Sequence, residues 1–253
     1  MIAADFSVRR AERIRVNGYD IDVRRGGQTG APAVLLVHGI GVSSRYFLSL
    51  ARELADDFDV VALDLPGYGT TPRPRRVLSI PELAEILAGY VKQEGMDKVV
   101  VVGHSMGCQI VAHFARRQPE LCAKMVLLGP TVNKWERVWL LQAWRLLQDI
   151  FHEPVGVSAL IFRDYLRMGF LRYIVTLRFM MKDHIETTLQ GSVVPILFIR
   201  GEKDTIVPMY WLRYLSEQVA SATLHEIPNA PHALQLKKPR TLSNIITDFI
   251  SGA

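Results

Sequence analysis

A serine set between two glycines gives the first indication of chemistry in this sequence. Ser105 is the central residue of GHSMG (103–107), which follows four valines and precedes the helix-like stretch CQIVAHFARR. A sharp turn from a buried strand into a helix crowds its central residue, and glycines two positions before and after relieve that crowding. The turn would project the Ser105 hydroxyl and place the next amides at a helix N-terminus, where they favour negative charge. The motif therefore predicts a nucleophile with half of an oxyanion hole.

In this strand-turn-helix context, GHSMG resembles the nucleophile elbow of the α/β-hydrolase family. The resemblance extends over nearly the whole chain, from an opening hairpin to the last helix. It implies a mostly parallel sheet flanked by helices and a hydrolase that needs no cofactor. It also implies a catalytic triad in the chain order serine, acid, histidine, with each residue in a loop after a core strand.

The sequence supplies an acid and a histidine in that order. Asp204 lies in the turn RGEKDTIVP after the apolar run PILFI, and His232 lies in NAPHALQLKKP after ATLHEI. A serine needs an adjacent base, and the base needs an acid that orients it. We therefore expect Ser105, Asp204 and His232 to act together, with Glu202 as the only rival acid nearby.

The loop HGIG (38–41) resembles the family's His-Gly loop, which completes the oxyanion hole. The resemblance assigns the backbone amide of Ile40 to this role, paired with the amide of Met106. It makes His38 a structural hydrogen-bonding residue and not a second base. The turn DLPGYG (64–69) is interpreted as scaffold in the same way.

The elements that must position these residues alternate between strands and helices. RIRVNGYDIDV (13–23) alternates apolar and polar residues around Asn17-Gly18, which predicts an antiparallel hairpin. Unbroken apolar runs such as AVLLVHG and KVVVVG are typical of strands buried on both faces, and helix-length segments separate them. The pattern predicts an α/β fold with a mostly parallel central sheet covered by helices on both faces.

One segment breaks this rhythm. Residues 131–190 contain no buried-strand run, which predicts a helical cap (lid) inserted between the core segments 1–130 and 191–253. Its aromatic and methionine side chains would line an apolar pocket over the nucleophile, or else pack the cap's own small core. The candidate substrate-binding residues are three of the four tryptophans: Trp135, Trp139 and Trp144.

Composition and charge exclude several function classes. Hydrophobic residues make up 49% and charged residues 22%, an ordinary globular balance. The net charge of +5 is dispersed apart from one cluster, PRPRR (72–76), whose prolines indicate a loop. No nucleic-acid motif accompanies that cluster, so we expect a small-molecule substrate and no nucleic acid.

The sequence also shows no motif for membrane targeting and none for metal binding. No apolar run approaches the roughly 18 residues of a membrane span, and the first residues have no apolar core, so we expect a cytoplasmic protein without membrane contact. Cys108 and Cys122 lack metal-ligand spacing and fit a reduced compartment, so no metal site is predicted. The sequence does not indicate an oligomeric state.

The favoured function is hydrolysis of a carboxylic ester of a small to medium apolar substrate. One alternative is carbon-carbon bond hydrolysis of the meta-cleavage type, in which cap arginines would hold a substrate carboxylate: Arg163, Arg167, Arg172 and Arg178. Against it, Ala233 stands where such relatives commonly have tryptophan. A cofactor-free perhydrolase shares the same triad. A receptor that signals by moving its lid is the alternative outside enzymes, and turnover separates it from them.

Overall fold

The central sheet has eight strands in the order β1-β2-β4-β3-β5-β6-β7-β8. The computed structural model describes residues 8–137 and 163–252, and every statement below concerns those residues. The strands are β1 (Val8–Val16), β2 (Tyr19–Gly27), β3 (Ala33–Val37), β4 (Asp59–Asp64), β5 (Val99–His104), β6 (Cys122–Leu128), β7 (Ile196–Gly201) and β8 (Ala222–Ile227).

The sheet is antiparallel at one edge and parallel elsewhere. β1 and β2 form a hairpin through Asn17 and Gly18, which have φ angles of 51° and 83°, and β2 pairs antiparallel with β4. All pairings from β4 through β3 to β8 are parallel. The α/β-hydrolase fold predicted from the sequence is therefore confirmed.

Helices cover both faces of the sheet. They are α1 (Leu48–Leu54), α2 (Ile80–Gln93), α3 (Met106–Arg117), α4 (Phe170–Lys182), α5 (Ile185–Leu189), α6 (Met209–Glu217), α7 (Leu234–Lys237) and α8 (Pro239–Ser251). Leu35 and Val37 of β3 pack with α2 and α3, whereas Val34 and Leu36 pack with α1 and α8. Since side chains alternate along a strand, apolar residues at every position bury both faces.

The start of α2 shows how local sequence fixes an element next to the site. Ser79 is its N-cap, and the Glu82 carboxylate accepts hydrogen bonds from the Ser79 amide (2.8 Å) and hydroxyl (2.7 Å). This capping box satisfies donors that the helix itself leaves unpaired. Arg76 donates to the same carboxylate, so the loop between β4 and α2 is anchored at its end.

Residues 131–190 form the inserted segment between β6 and β7, and its described residues from 170 onwards pack on α3. Gln109 Nε2 donates to the Met180 carbonyl at 2.9 Å, and His113 Nε2 lies 2.6 Å from an Asp183 carboxylate oxygen. These contacts place α4 and α5 beside the helix that begins at the elbow. The division into a hydrolase core and a helical cap stays a prediction.

We expect two glycine substitutions at one end of β2 to differ sharply in cost. Gly27 (φ +88°) and Gly30 (φ +85°) both occupy the left-handed region, so alanine costs about 1–2 kcal/mol at either position. A Cβ at Gly27 would also lie 2.1 Å from the Phe58 carbonyl oxygen, whereas Gly30 has open space.

Gly27→Ala should therefore lower the free energy of unfolding by at least about 2 kcal/mol more than Gly30→Ala, because backbone must move. Urea unfolding of both variants measures the difference. Equal losses would mean that the β2 end adjusts without strain.

Candidate active site

The turn between β5 and α3 is a strained backbone held by close packing. Ser105 has φ 55° and ψ −116°, and its amide donates to the Leu128 carbonyl at 2.9 Å. A Cβ at Gly103 would lie 2.6 Å from the Gly107 carbonyl carbon, and one at Gly107 would lie 2.2 Å from the Val37 carbonyl oxygen. Only glycine fits at both positions, which is the crowding that the sequence motif indicates.

The loop 38–41 lies against this turn. A Cβ at Gly39 would be 3.2 Å from the Ser105 Cβ, so the loop backbone approaches the serine directly. Met106 is the first residue of α3, whose leading amides have no acceptor within the helix. Ile40 and Met106 are both buried. The assignment of their amides to an oxyanion hole stays a prediction.

His38 holds this loop in place. The Leu65 amide donates to His38 Nε2 at 3.2 Å, so Nδ1 carries the ring proton and donates to the Gly39 carbonyl at 2.9 Å. Burial lowers the pKa of His38, which keeps the ring neutral. The ring thus ties the loop after β3 to the loop after β4, the scaffold role that the sequence resemblance implies.

Asp204 and His232 form a buried pair. His232 Nδ1 donates to Asp204 Oδ2 at 2.7 Å, and the side chains are 4% and 0% exposed respectively. Asp204 Oδ1 accepts hydrogen bonds from the amides of Ile206 (2.8 Å) and Val207 (2.9 Å). Both carboxylate oxygens therefore have fixed partners. Glu202, the rival acid, instead accepts a hydrogen bond from the Asn229 amide at 2.8 Å.

Gly129 packs directly against this pair. Its role at the site was not predicted from the sequence. It follows β6 with φ +54°, and a Cβ there would lie 2.8 Å from His232 Cε1 and 3.2 Å from Asp204 Oδ2. Any larger residue would push the imidazole away from the carboxylate. The signal in the sequence is Gly129-Pro130 at the end of an apolar run, which is too common a turn to indicate a site by itself.

His104 packs against His232 from the elbow side. Its ring centroid lies 4.7 Å from that of His232, and its Nε2 lies 3.2 Å from the His232 carbonyl oxygen. Burial, with a smaller effect from the neighbouring His232, places the pKa of His104 well below its usual value. The ring is therefore neutral at physiological pH, and its position holds the backbone that carries His232.

Contacts from the inserted segment reach the loop after β3. Ser43 Oγ donates to Asp164 Oδ2 at 2.5 Å, and the Tyr165 ring covers Gly41, where a Cβ would lie 2.7 Å from Cζ. Neither Asp164 nor Tyr165 stands out in the sequence. An aspartate followed directly by a tyrosine carries no local pattern that connects the two residues to a loop more than 100 residues away.

Of the three candidate tryptophans, one falls within the described residues. Trp135 is 55% exposed, and its ring packs edge-on against three aromatic residues of α6: Tyr210, Trp211 and Tyr214. Contacts with the serine, aspartate or histidine are not among these. Trp139 and Trp144 lie outside the described residues.

The cysteines have no access to this chemistry. Cys108 is fully buried, and its Sγ donates to the Gly103 carbonyl at 3.2 Å. Burial raises the pKa of the Cys108 thiol well above its usual value and that of Cys122 to about 12. In the described ranges, no three metal-ligating side chains cluster. None of the helices in those ranges is both long enough and apolar enough to span a membrane.

Comparison with known proteins identifies the family of this fold. The model of the family described as alpha/beta hydrolase fold matches residues 32–172, more than half of the chain. A protein of Bacillus subtilis (strain 168) named uncharacterized hydrolase YugF is 26% identical over 264 residues, covering 94% of this chain and 97% of that protein.

Solved structures with the same fold include two enzymes. A thermophilic esterase from Thermogutta terrifontis superposes with a TM-score of 0.82 at 21% identity, covering 96% of this chain and 98% of that one. A meta-cleavage product hydrolase from Pseudomonas fluorescens IP01 superposes with a TM-score of 0.81 at 22% identity, covering 95% and 97%. These likenesses show the fold alone.

We expect the free energy of unfolding to fall as pH drops through the range where free histidines titrate. Because the folded pKa values of His38 and His104 are lowered, the unfolded chain binds more protons below about pH 6.5. The stability that the two neutral rings contribute is fully present above about pH 6.5. It is lost as the pH falls from there towards the lower pKa values of the folded state. Each ring contributes at most about 1.4 kcal/mol per pH unit.

Urea unfolding at about pH 8 and about pH 5.5 measures this slope. His104→Gln should reduce the slope, whereas His225→Gln, at an exposed position on β8, should leave it unchanged. The same slope in both variants would contradict a neutral, buried His104.

Proposed function

This chain belongs to the α/β-hydrolase family, and we propose that it is a serine hydrolase that cleaves a carboxylic ester of a small to medium apolar substrate. The observation that carries the proposal is the buried His232–Asp204 pair, 2.7 Å apart, beside the strained serine turn. Such a pair has little value for stability alone, since the cost of removing an ionised carboxylate from water largely offsets the attraction and hydrogen bonds that it gains.

The hydrogen-bond pattern sets the imidazole tautomer that a base needs. Because Asp204 accepts from two backbone amides, its remaining oxygen faces His232 Nδ1. The proton then resides on Nδ1, and Nε2 keeps its lone pair. A neutral imidazole in this tautomer takes a proton from a serine hydroxyl, and the aspartate stabilises the cation that results.

In the proposed mechanism, Ser105 Oγ attacks the ester carbonyl while His232 accepts its proton. The amides of Ile40 and Met106 stabilise the oxyanion, each by on the order of 3 kcal/mol. His232 then protonates the leaving alcohol, which leaves an acyl-enzyme on Ser105. Water, activated by the same imidazole, releases the acid and restores the serine.

Removing the nucleophile should abolish turnover and leave the fold intact. Ser105→Ala removes one oxygen from a buried side chain, so kcat for an aryl ester should fall about 10⁴-fold or more. Steady-state hydrolysis measures the loss, and urea unfolding serves as the folding control. A variant that keeps a tenth of the wild-type rate would exclude Ser105 as the nucleophile. Repeated turnover by the wild type would also exclude a receptor that makes one product per protein.

The two acids of the turn after β7 provide a matched pair. Asp204→Asn should reduce kcat by about 10⁴-fold, because an amide facing Nδ1 stabilises the wrong imidazole tautomer. Glu202→Gln keeps a carbonyl oxygen for the Asn229 amide and should keep activity within about twofold. Comparable losses in the two variants would refute the assignment of Asp204 as the orienting acid.

An apolar acyl pocket should show itself in the dependence of rate on chain length. For aryl esters from acetate to octanoate, each buried methylene should add about 0.8 kcal/mol to transition-state binding, about fourfold in kcat/KM, until the pocket is full. Alanine variants of Trp135, Trp139 and Trp144, made singly, should shift the optimum in at least one case. An identical profile in all three folded variants would assign these tryptophans to packing.

A further inference from the structure

Three arginines meet where the loop after β4 touches the inserted segment. Arg73, from the PRPRR cluster, donates through Nη2 to the Arg167 carbonyl, and Arg172 donates through Nη2 to the Pro74 carbonyl. A Cβ at Gly67 would lie 3.2 Å from Arg172 Nη1, so this guanidinium rests on the loop backbone. Cationic groups from two separate parts of the chain therefore meet at one contact. We call this contact, of residues 67–74 with Arg167 and Arg172, the seam.

The seam contains an open cavity of about 360 Å³, lined by residues 67, 69–73 and Arg167. A cavity of this size accommodates a phosphate or carboxylate group with a small carbon skeleton. On the core side the lining includes Thr70 and Thr71, whose hydroxyls donate to Asp22 Oδ2 and to the Asp64 carbonyl. Its cationic side chains are Arg73 and Arg167, and the Arg172 guanidinium lies beside Gly67, which is also part of the lining.

Among the described residues, the three arginines at the seam have no carboxylate partner of the kind that Arg76 has. Arg76, three residues after Arg73, forms an ion pair with Glu82. Across residues 8–137 and 163–252, no carboxylate oxygen lies within 4.0 Å of a guanidinium nitrogen of Arg73, Arg167 or Arg172. Arginines that are clustered without a counter-charge bind carboxylates and phosphates well, because the planar fork matches two oxygens at once.

Two carboxylates, those of Asp22 and Asp64, accept hydrogen bonds from Thr70 of the cavity lining, and both have further partners. Asp22 pairs with Arg13 at 2.7 Å, and Asp64 accepts the Ser44 amide at 2.6 Å. Burial lowers the pKa of Arg172, with a further contribution from the positive charge of Arg73, which indicates that like charges face each other in a partly desolvated place.

We propose that this seam is a binding site for a small oxyanion, a carboxylate or phosphate group held between Arg73 and Arg172. The bound anion bridges the loop after β4 and the inserted segment, which are otherwise joined here by arginine-to-carbonyl hydrogen bonds. The site is separate from the Ser105 turn, and its existence does not rest on the proposed function.

One residue connects the seam to the catalytic turn. Tyr68 lies between Gly67 and Gly69, its hydroxyl donates to Met106 Sδ at 3.7 Å, and its ring centroid lies 4.8 Å from that of His38. Burial raises the pKa of Tyr68 to about 12, so the phenol stays neutral. An anion that fixes the loop 67–74 therefore also fixes a side chain in contact with the first residue of α3.

Thermal unfolding of the full chain with inorganic phosphate, against chloride at equal ionic strength, tests for binding. Up to about 20 mM phosphate, the general stabilisation by excluded salts is small, so a saturable rise in Tm reports a site. Arg73→Gln and Arg172→Gln should each weaken the apparent affinity at least fivefold. Arg75→Gln, in the same loop, and Arg178→Gln, exposed on α4, should change it less than twofold.

The proposal is overturned if phosphate and chloride shift the wild-type Tm equally, or if Arg73→Gln keeps the wild-type affinity. Arg73 and Arg172 each also tie the loop to the inserted segment, so either substitution can lower Tm by itself. The Tm of each variant in chloride is therefore its own baseline, and Arg73→Lys, which retains charge without the fork, should show an affinity for phosphate between those of the wild type and Arg73→Gln.

A second arm distinguishes an anion that is part of the substrate from a free one. The KM of an aryl butyrate is compared with that of the corresponding aryl hemisuccinate, which adds a terminal carboxylate. If the anion belongs to the substrate, Arg73→Gln raises KM for the hemisuccinate alone, and phosphate competes with it. If the anion is free, phosphate raises Tm without competing. Either result supports the site, and inactivity of both esters would test the proposed function without touching the Tm result.

Discussion

Backbone packed against backbone at the turn after β5 is the constraint on which the rest of this molecule depends. Gly107 leaves no room for a side chain beside the Val37 carbonyl, and Gly103 leaves none beside Gly107. The end of β3, the end of β5 and the first turn of α3 are therefore fixed relative to each other by contact of main-chain atoms, which flex little. The positive φ of Ser105 is the cost of this arrangement, of the order of 1–3 kcal/mol, and the apolar strands around it supply the stability that maintains it.

The same device positions the two other side chains of the predicted triad. Gly201, the last residue of β7, lies so close to the loop after β8 that a Cβ would be 2.1 Å from the Ala230 carbonyl oxygen. The loops that carry Asp204 and His232 are thereby held together before their side chains meet. Gly129, which has no side chain, then leaves the space that the His232 imidazole occupies. The glycines at the strand ends thus allow the backbone segments to approach closely, and this close approach determines where Asp204 and His232 meet.

The sequence predicted those features that are encoded locally and missed those that depend on distant contacts. Strands such as β3 and β5 are continuous apolar runs, and the turn at Ser105 carries its own glycines, so a few residues suffice to indicate them. The Asp204–His232 hydrogen bond followed from the resemblance and from placement at strand ends. The Ser43–Asp164 hydrogen bond spans 121 positions and has no local signature. For Trp135, aromatic composition predicted a pocket, whereas its contacts are with the rings of α6, because apolar surface packs on any apolar partner within reach.

The buried thiol beneath the turn has a practical consequence. Cys108 donates to the Gly103 carbonyl, and Cys122 is also buried, so the folded chain presents little reactive thiolate to solvent. Labelling by a thiol reagent requires the first turn of α3 to separate from β5, an opening that would dismantle the elbow at the same time. Pulse labelling of Cys108 in a Cys122→Ser background would therefore report how often the elbow opens, without any substrate and under native conditions.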